Sequence, residues 1–530
     1  MRPRRGVLTF VGLMLLPATS TAQDMEADAA IRGIRLPAGY YARVRERPNF
    51  FTPDGTWAVK ASAARIQGSA VSGELPIVVI PVLHADSPVP AYTPQDIDRI
   101  FFTGPFEHGT LNEFYNEISG GRLSIVGEVQ PWVRTSLDRA DVVGTGWGLG
   151  DDARTGDFFL EALALSDPTT DFARFDNDGP DGVPNSGDDD GIVDVMAFEF
   201  IEIAASCGGN GIWPHRSRLA GWNNNVPFTT NDAAANGGMI IVDDYMTQSV
   251  VTCDGAEIHG SGVMAHELGH VLGLPDYRHH VGSIMPDRRR WLIGCFGLMS
   301  GGSWGCEGVA REDWPNATHM TAFAKREMGW LGNQIIASPG EFVEVTLDPV
   351  QTSEQALIIP LGGTEALMVE YRDTVGFDRV LPGSGVLVYH IDPALPVVPC
   401  AECPPWYKIY LLEADGEGDL LRAPFEGGNR GTLSDIFATS GPARLTNGTG
   451  ASSRHNDGRA SSVNIYEIRV ENGQATLVYS TEPLADARLV AQLLTPATPL
   501  RPPELEMLDG QGNKNGRFDV GDVRAYIFGR

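Results

Sequence analysis

Beyond residue 17 the 530-residue chain has no apolar run long enough to span a bilayer, so no membrane span is expected in its body. Basic charge is scarce: Lys and Arg total 40 against 68 Asp and Glu, a formal net charge of -28. That leaves no cationic surplus to meet phosphates and argues against a nucleic-acid partner. Cysteine is scarce as well, at six residues: Cys207, Cys253, Cys295, Cys306, Cys400 and Cys403. No second CxxC accompanies Cys400 and Cys403, which excludes a four-cysteine zinc site. Residues 23–75 lack strong periodicity.

What is present begins with an export signal. Arg2–Arg5 supply a basic region, residues 6–17 an apolar one, and Ser20-Thr21-Ala22 a small-residue cleavage site, so residues 1–22 read as a signal peptide and the protein as secreted. An even cysteine count in an exported chain suggests disulfides. Neighbours in sequence suggest Cys207–Cys253, Cys295–Cys306 and Cys400–Cys403, among the fifteen pairings that six cysteines permit.

Two textures follow. Up to about residue 338, strand-like runs (residues 77–83, 123–129 and 192–203) alternate with helical segments such as 111–118. Leu111, Phe114, Tyr115 and Ile118 share a helix face there, with a Thr110/Glu113 capping box ahead of it. This predicts a mixed α/β domain over 75–338. From 339 to 482, short β-branched runs separated by turn residues predict an all-β, sandwich-like domain. Residues 483–503 read as a Pro-rich linker, and 504–530 as a tail with its own motif.

The chemistry sits in "MAHELGHVLGLPDY", residues 264–277. Helical spacing of four puts His266 and His270 on one face, where both imidazoles can grip one zinc ion. Glu267 lies at the edge of that face, placed to take a proton from the activated water and return it to the leaving amine. Gly273 permits a left-handed turn that ends the helix. Three residues later Asp276 can swing back as a third ligand. Glu307, Glu312 and Glu327 are the alternatives if the third ligand instead arrives from another helix. Met299, in the Gly-rich stretch "FGLMSGGSWG", fits the methionine turn that lies beneath the metal in metzincins. Tyr277 and Tyr245 are candidates to stabilise an oxyanion, and His279 and His280 lie near the zinc arm. The basic stretch Asp287–Arg290 reads as a solvated loop.

Residues 75–480 resemble the immune inhibitor A family of secreted bacterial metallopeptidases. The resemblance lies in "GTLNEFYNEISGGRLSIVGEV", "IWPHR", "HELGHVLGLPDY", "GLMSGGSW", "AFAKREMGWL", "VEYRDTVGFDRVLPGSGVLVYHID" and "EADG". It implies a bacterial, secreted, zinc-dependent endopeptidase with protein or peptide substrates, made with a propeptide over residues 23–74. The fold expected is α+β and metzincin-like, followed by the β-sandwich. His266, His270 and Glu267 carry over directly, and Asp276 by the metzincin-like pattern.

Calcium is the second inorganic expectation. The Gly-rich run 176–194 crowds aspartates that repel one another unless a hard cation sits among them. Asp176, Asp178, Asp181, Asp188, Asp190 and Asp194 are the expected ligands, and Asp189 shares the loop. In the tail, Asn513, Asn515, Asp519 and Asp522 keep the oxygen spacing of an EF-hand loop, with Gly516 at its turn. The tail resembles half a dockerin, which makes a surface partner conceivable. The competing functional reading is a calcium-stabilised surface or adhesion protein with a vestigial protease domain. The intact Glu267 counts against it, because a binding module needs no general base.

Overall fold

The computed structural model describes residues 56–528 apart from 225, 282–284, 307–316, 341, 400–403, 441–442 and 496–499. The expected signal peptide, the first part of the expected propeptide, Glu307, Glu312 and the Cys400–Cys403 pair therefore lie outside the described residues.

The first described element is helix α1 (Thr56–Gln67), an Ala-rich segment of good helix formers. Its Trp57 and Ala61 are almost fully buried in the largest hydrophobic core. β1 (Gly73–Leu83) follows, its side chains alternating between two cores: Ile77 and Val79 face the one containing α1, and Val78, Ile80 and Val82 the other. Such a strand, buried on both faces, reads as a continuous apolar run. α2 (Leu111–Ile118) carries the predicted capping box, with the Thr110 hydroxyl and Glu113 carboxylate each accepting the other's backbone N–H. β2 (Leu123–Val129), α3 (Thr155–Ser166), β3 (Val195–Phe200), β4 (His215–Arg218), β5 (Asp244–Ser249) and α4 (Gly262–Val271) complete the frame of the site. The strand order is β2-β1-β3-β5-β4, with a two-residue strand at Val133–Arg134 beside β1. All pairs are parallel except β4–β5, so the edge strand runs against the rest of the sheet. α4 packs against β4 and β5.

The segment expected to be a removable propeptide is, from residue 56 on, part of this core. The Trp330 indole N–H donates to the Val71 carbonyl, the Val71 N–H donates to the Met328 carbonyl, and Arg65 pairs with Glu327 at 2.9 Å. Trp57→Ala should therefore destabilise the fold by about 3–5 kcal/mol, the usual range for emptying a buried Trp site. Chemical denaturation checks this.

Beyond α5 (Ala322–Glu327), two antiparallel-rich sheets follow. The strands are β6 (Asn333–Ile336), β7 (Val343–Leu347), β8 (Gln355–Gly362), β9 (Glu365–Arg372), β10 (Gly385–Ile391), β11 (Ile409–Leu411), β12 (Ala443–Leu445), β13 (Asn464–Glu471) and β14 (Gln474–Ser480). They assemble as β6-β8-β9-β10-β11 and β7-β14-β13-β12. One core joins Leu357 and Val369 of the first sheet to Ile465 and Leu477 of the second. The opposite face of the first sheet, through Ile358, Met368 and Tyr389, joins the α1-containing core.

The tail departs from expectation at one point. Residues 486–494 form helix α6 (Asp486–Leu494) with Leu489 fully buried, where a Pro-rich linker was expected over 483–503. With α7 (Pro502–Gln511) and α8 (Val520–Phe528), it covers the outer face of the four-stranded sheet through Leu489, Met507, Leu508, Val523 and Tyr526 against Tyr466 and Val478. Leu and Met at helical spacing carried this packing, while the prolines drew attention to the gaps between helices. No helix among the described residues is long and apolar enough to cross a membrane.

Candidate metal centre and active site

α4 is the predicted histidine-bearing helix. Its final turn closes with the Gly273 N–H donating to the His270 carbonyl and the Leu274 N–H to the Gly269 carbonyl. Gly273 has φ +89°, the left-handed conformation predicted for it. The chain thereby reverses and brings Asp276 back over the helix.

Asp276 Oδ1 lies 3.0 Å from His266 Nε2 and 3.7 Å from His270 Nε2. One ligand atom from each of the three residues falls within a 4.8 Å cluster. Those separations bracket the ~3.3 Å edge of a tetrahedron with bonds of about 2.0–2.1 Å. Each imidazole is fixed from behind. His266 Nδ1 lies 2.8 Å from the Leu298 carbonyl, and His270 Nδ1 lies 2.8 Å from the Leu274 carbonyl. A carbonyl can only accept, so each Nδ1 carries a hydrogen, which leaves each Nε2 as the nitrogen facing the cluster. Two neutral imidazoles and one carboxylate are a donor set suited to catalytic zinc.

The Leu298 carbonyl that holds His266 belongs to the residue before Met299. Met299 Sδ lies directly beneath α4: a Cβ on Gly269 would meet it at 2.4 Å. The Met299 carbonyl accepts from the Tyr277 N–H at 2.7 Å, which ties the methionine loop to the Asp276 arm. The Cys295–Cys306 disulfide closes this loop, and Cys207–Cys253 joins the segments after β3 and β5.

Glu267 is buried beside the cluster, and the Arg216 backbone on β4 bonds its carboxylate. Burial pushes its pKa up to about 7, with the His270 imidazole pulling the other way. The sheet edge thus runs alongside the group suited to be the base. Glu327 is engaged with Arg65 and is not in the cluster.

The tyrosines proposed from sequence are not at this centre. The Tyr245 hydroxyl accepts from the Trp222 indole N–H at 2.7 Å and lies 2.8 Å from His215 Nε2. Tyr277 is buried edge-on to Phe323. His279 Nδ1 lies 3.0 Å from the Tyr407 hydroxyl. Burial holds His280 well below the usual imidazole range. The stretch at 287–290 is not a solvated loop either. Arg289 is buried with Trp213, Trp291 and Trp304 around its guanidinium, and Arg290 pairs with Glu426 at 2.7 Å. An arginine beside the cluster, Arg278, was not singled out from the sequence. Its Nη2 is 3.0 Å from Asp276 Oδ1.

In the acidic loop, Asp176, Asp178 and Asp189 come together. Asp189 was absent from the expected ligand set, because three consecutive aspartates give no periodicity to choose between them. The Gly179 and Ser186 N–H groups donate to Asp189 and fix it inward. Asp188 and Asp181 instead share the Ser186 hydroxyl at the exposed rim, and Asp190 accepts from the Ile192 N–H. Asp176 Oδ1 and Asp194 Oδ1 are buried without a hydrogen-bond partner. Burial, helped by neighbouring aspartates, raises the Asp176 pKa to about 7, and burial raises that of Asp194 to about 8.

The tail loop is arranged differently. The Asp522 oxygens accept from the Asn513 and Asp519 N–H groups, and the Asn513 and Asn515 amides donate to Asp519. Its polar groups thus satisfy one another, and no three-carboxylate cluster forms there among the described residues. A third acidic group, Glu413, Asp415 and Asp435, was not foreseen.

Comparison with known proteins places the cluster in context. Residues 101–331 match the family described as immune inhibitor A peptidase M6, catalytic domain. The chain is 27% identical over 277 residues to the pre-pro-metalloprotease PrtV of Vibrio cholerae serotype O1, covering 48% of this chain and 27% of that protein. It is 30% identical over 220 residues to immune inhibitor A of Bacillus thuringiensis subsp. alesti, covering 37% of this chain and 28% of that protein. The match thus spans less than a third of each of these relatives.

Proposed function

We propose that this protein is a secreted, zinc-dependent endopeptidase acting on proteins or peptides, a reading supported by the match of residues 101–331 to the immune inhibitor A peptidase M6 catalytic domain. The observation that carries the reading is the convergence of His266 Nε2, His270 Nε2 and Asp276 Oδ1, with both imidazoles held from behind by carbonyls. A zinc ion held by these three atoms supplies Lewis-acid polarisation of water and of the scissile carbonyl. Glu267 takes the proton from the attacking water and delivers it to the leaving nitrogen. Its burial suits this work, because a carboxyl raised towards neutrality both accepts and gives up a proton readily. An extended substrate adds to the free edge of β4, beside which Glu267 sits. The test is casein hydrolysis by the purified protein: a zinc chelator abolishes it and added zinc restores it. Hydrolysis that survives with zinc removed would sink the proposal.

The metzincin-like reading of the domain rests on the same helix, glycine turn and methionine loop. The sandwich reading of 339–482 rests on the two sheets sharing one core. The packing of α1 favours a propeptide that ends before Thr56 rather than at residue 74.

Calcium is proposed at the acidic loop, held by Asp176, Asp178 and Asp189 with Asp194 behind them. The buried oxygens of Asp176 and Asp194 that lack a partner support it, since a hard cation supplies what hydrogen bonds do not. The pH dependence follows by sign. In the cation-free protein both pKa values are raised by folding, so the folded state binds more protons and stability falls as pH rises from about 4, the unfolded carboxylate value, to about 8. Calcium binds the ionised form, so the melting temperature in excess calcium should rise and lose this decline. Melting curves at pH 5 and pH 8, with and without a calcium-selective chelator, check this. Identical curves in all four conditions would refute it.

A further inference from the structure

Peptide hydrolysis at the proposed centre builds a negative charge on the carbonyl oxygen, and the fold must meet it with a positive or hydrogen-donating group. The tyrosines nearest in sequence do not serve. The Tyr245 hydroxyl is engaged by His215 and Trp222, and Tyr277 is turned into the core. His280 is held neutral by burial.

Arg278 is different. Its Nη2 lies 3.0 Å from Asp276 Oδ1 and 3.5 Å from His266 Nε2, so the guanidinium reaches two of the three candidate ligand atoms. Among the described residues, it is the arginine or lysine seen within salt-bridge distance of Asp276. The side chain is 12% exposed, and its Nε is buried without a hydrogen-bond partner. A guanidinium has five N–H donors in a planar fork, and a single carboxylate oxygen uses few of them. The Nε donor is desolvated beside the candidate centre, where a fixed positive charge acts more strongly than in water. The position also follows from the chain. The turn at Gly273 that returns Asp276 to the helix returns Arg278 with it, while the intervening Tyr277 is drawn the other way by the Met299 carbonyl.

We propose that Arg278 is a catalytic residue that stabilises the oxyanion of the tetrahedral intermediate, over and above its ion pair with Asp276. The inference rests on the peptidase reading. A structural role alone would make Arg278 an orienting partner of Asp276, and its loss would then show as weakened zinc binding.

The experiment uses the full secreted protein and its Arg278→Gln and Arg278→Lys variants. Zinc content after dialysis is measured beside kcat, KM and the affinity for a phosphinic peptide, whose tetrahedral anion imitates the intermediate. Circular dichroism monitors folding. Arg278→Gln should keep its zinc and its KM while kcat falls about 10²–10³-fold, the usual cost of one oxyanion donor. Phosphinic peptide affinity should fall in parallel, while that of a product peptide stays constant. Arg278→Lys, which folds with the charge retained, should recover part of kcat. Unchanged kcat in Arg278→Gln overturns the proposal. So does a loss of activity that excess zinc restores, and so does an equal loss of affinity for product and phosphinic peptides. Absence of zinc-dependent hydrolysis in the unsubstituted protein would instead overturn the peptidase reading itself, so the two failures are distinguishable.

Discussion

Glu267→Gln should retain zinc and the fold while losing peptide hydrolysis by about 10²–10⁴-fold, the range that a positioned acid–base group contributes. Glu267 is not among the three clustered ligand residues, so zinc retention is expected. The amide is close in size to the carboxyl it replaces, so the buried site is not emptied. It cannot accept the proton from water at neutral pH. The loss should therefore fall on kcat, because the substrate still meets the sheet edge and the metal. Steady-state kinetics on a zinc-loaded sample, with metal content determined on that sample, make the check. Near-normal turnover would remove Glu267 from the mechanism and leave the rest of the centre standing.

Asp276→Ala should have the larger effect on metal binding. It removes one of the three candidate ligands and would leave two imidazoles to hold the ion. The loss of affinity should exceed the ~10–100-fold typical of removing an outer partner of a ligand. It also strips Arg278 of its carboxylate and leaves a largely buried cation without that partner, which costs stability. Asp276→His should recover part of the zinc affinity, since imidazole is also a proper ligand. Glu327→Ala should leave zinc unchanged, because that carboxylate pairs with Arg65. Zinc retained after dialysis against a competing chelator is the measurement. An Asp276→Ala variant that holds zinc as the unsubstituted protein does would refute the third-ligand assignment.

The cluster of His266, His270 and Asp276 was legible because it lies within eleven residues of chain. Helical spacing fixes two of its members, and one glycine turn fixes the third. The sheet that supports it was legible in part: β1 as a buried apolar run and α2 from its capping box. Arrangements that depend on long-range packing were less accessible. Tyr245 looks available in sequence, but its partner His215 comes from the neighbouring antiparallel strand. Arg289 sits in a stretch of charges that reads as solvated, yet the neighbouring Trp291 and, from further away in the chain, Trp213 and Trp304 enclose it. Asp189 is indistinguishable from Asp188 and Asp190 until backbone N–H groups across the loop select it. α1 gave little signal because its buried face is built largely from alanines and one tryptophan. Such a face is small, and it shows itself only against the surface it fits.

That fit bears on where a propeptide, if one is removed, would end. α1 touches three separate parts of the N-terminal α/β region. Ala58 abuts Gly273 at the end of α4, where an added Cβ would meet it at 3.5 Å. The Trp57 indole faces Asp194 behind the acidic loop. Arg65 holds Glu327 on α5. A processing protease that trims from the N-terminus can advance only while each cut releases nothing from the core. On the propeptide reading Trp57 would mark a stop: cleavage beyond it would unseat the buried indole, and loss of the helix would remove Ala58 from beneath the glycine turn that positions Asp276. If a propeptide is removed, its boundary would then be set by the first side chain whose loss opens a hole in the core.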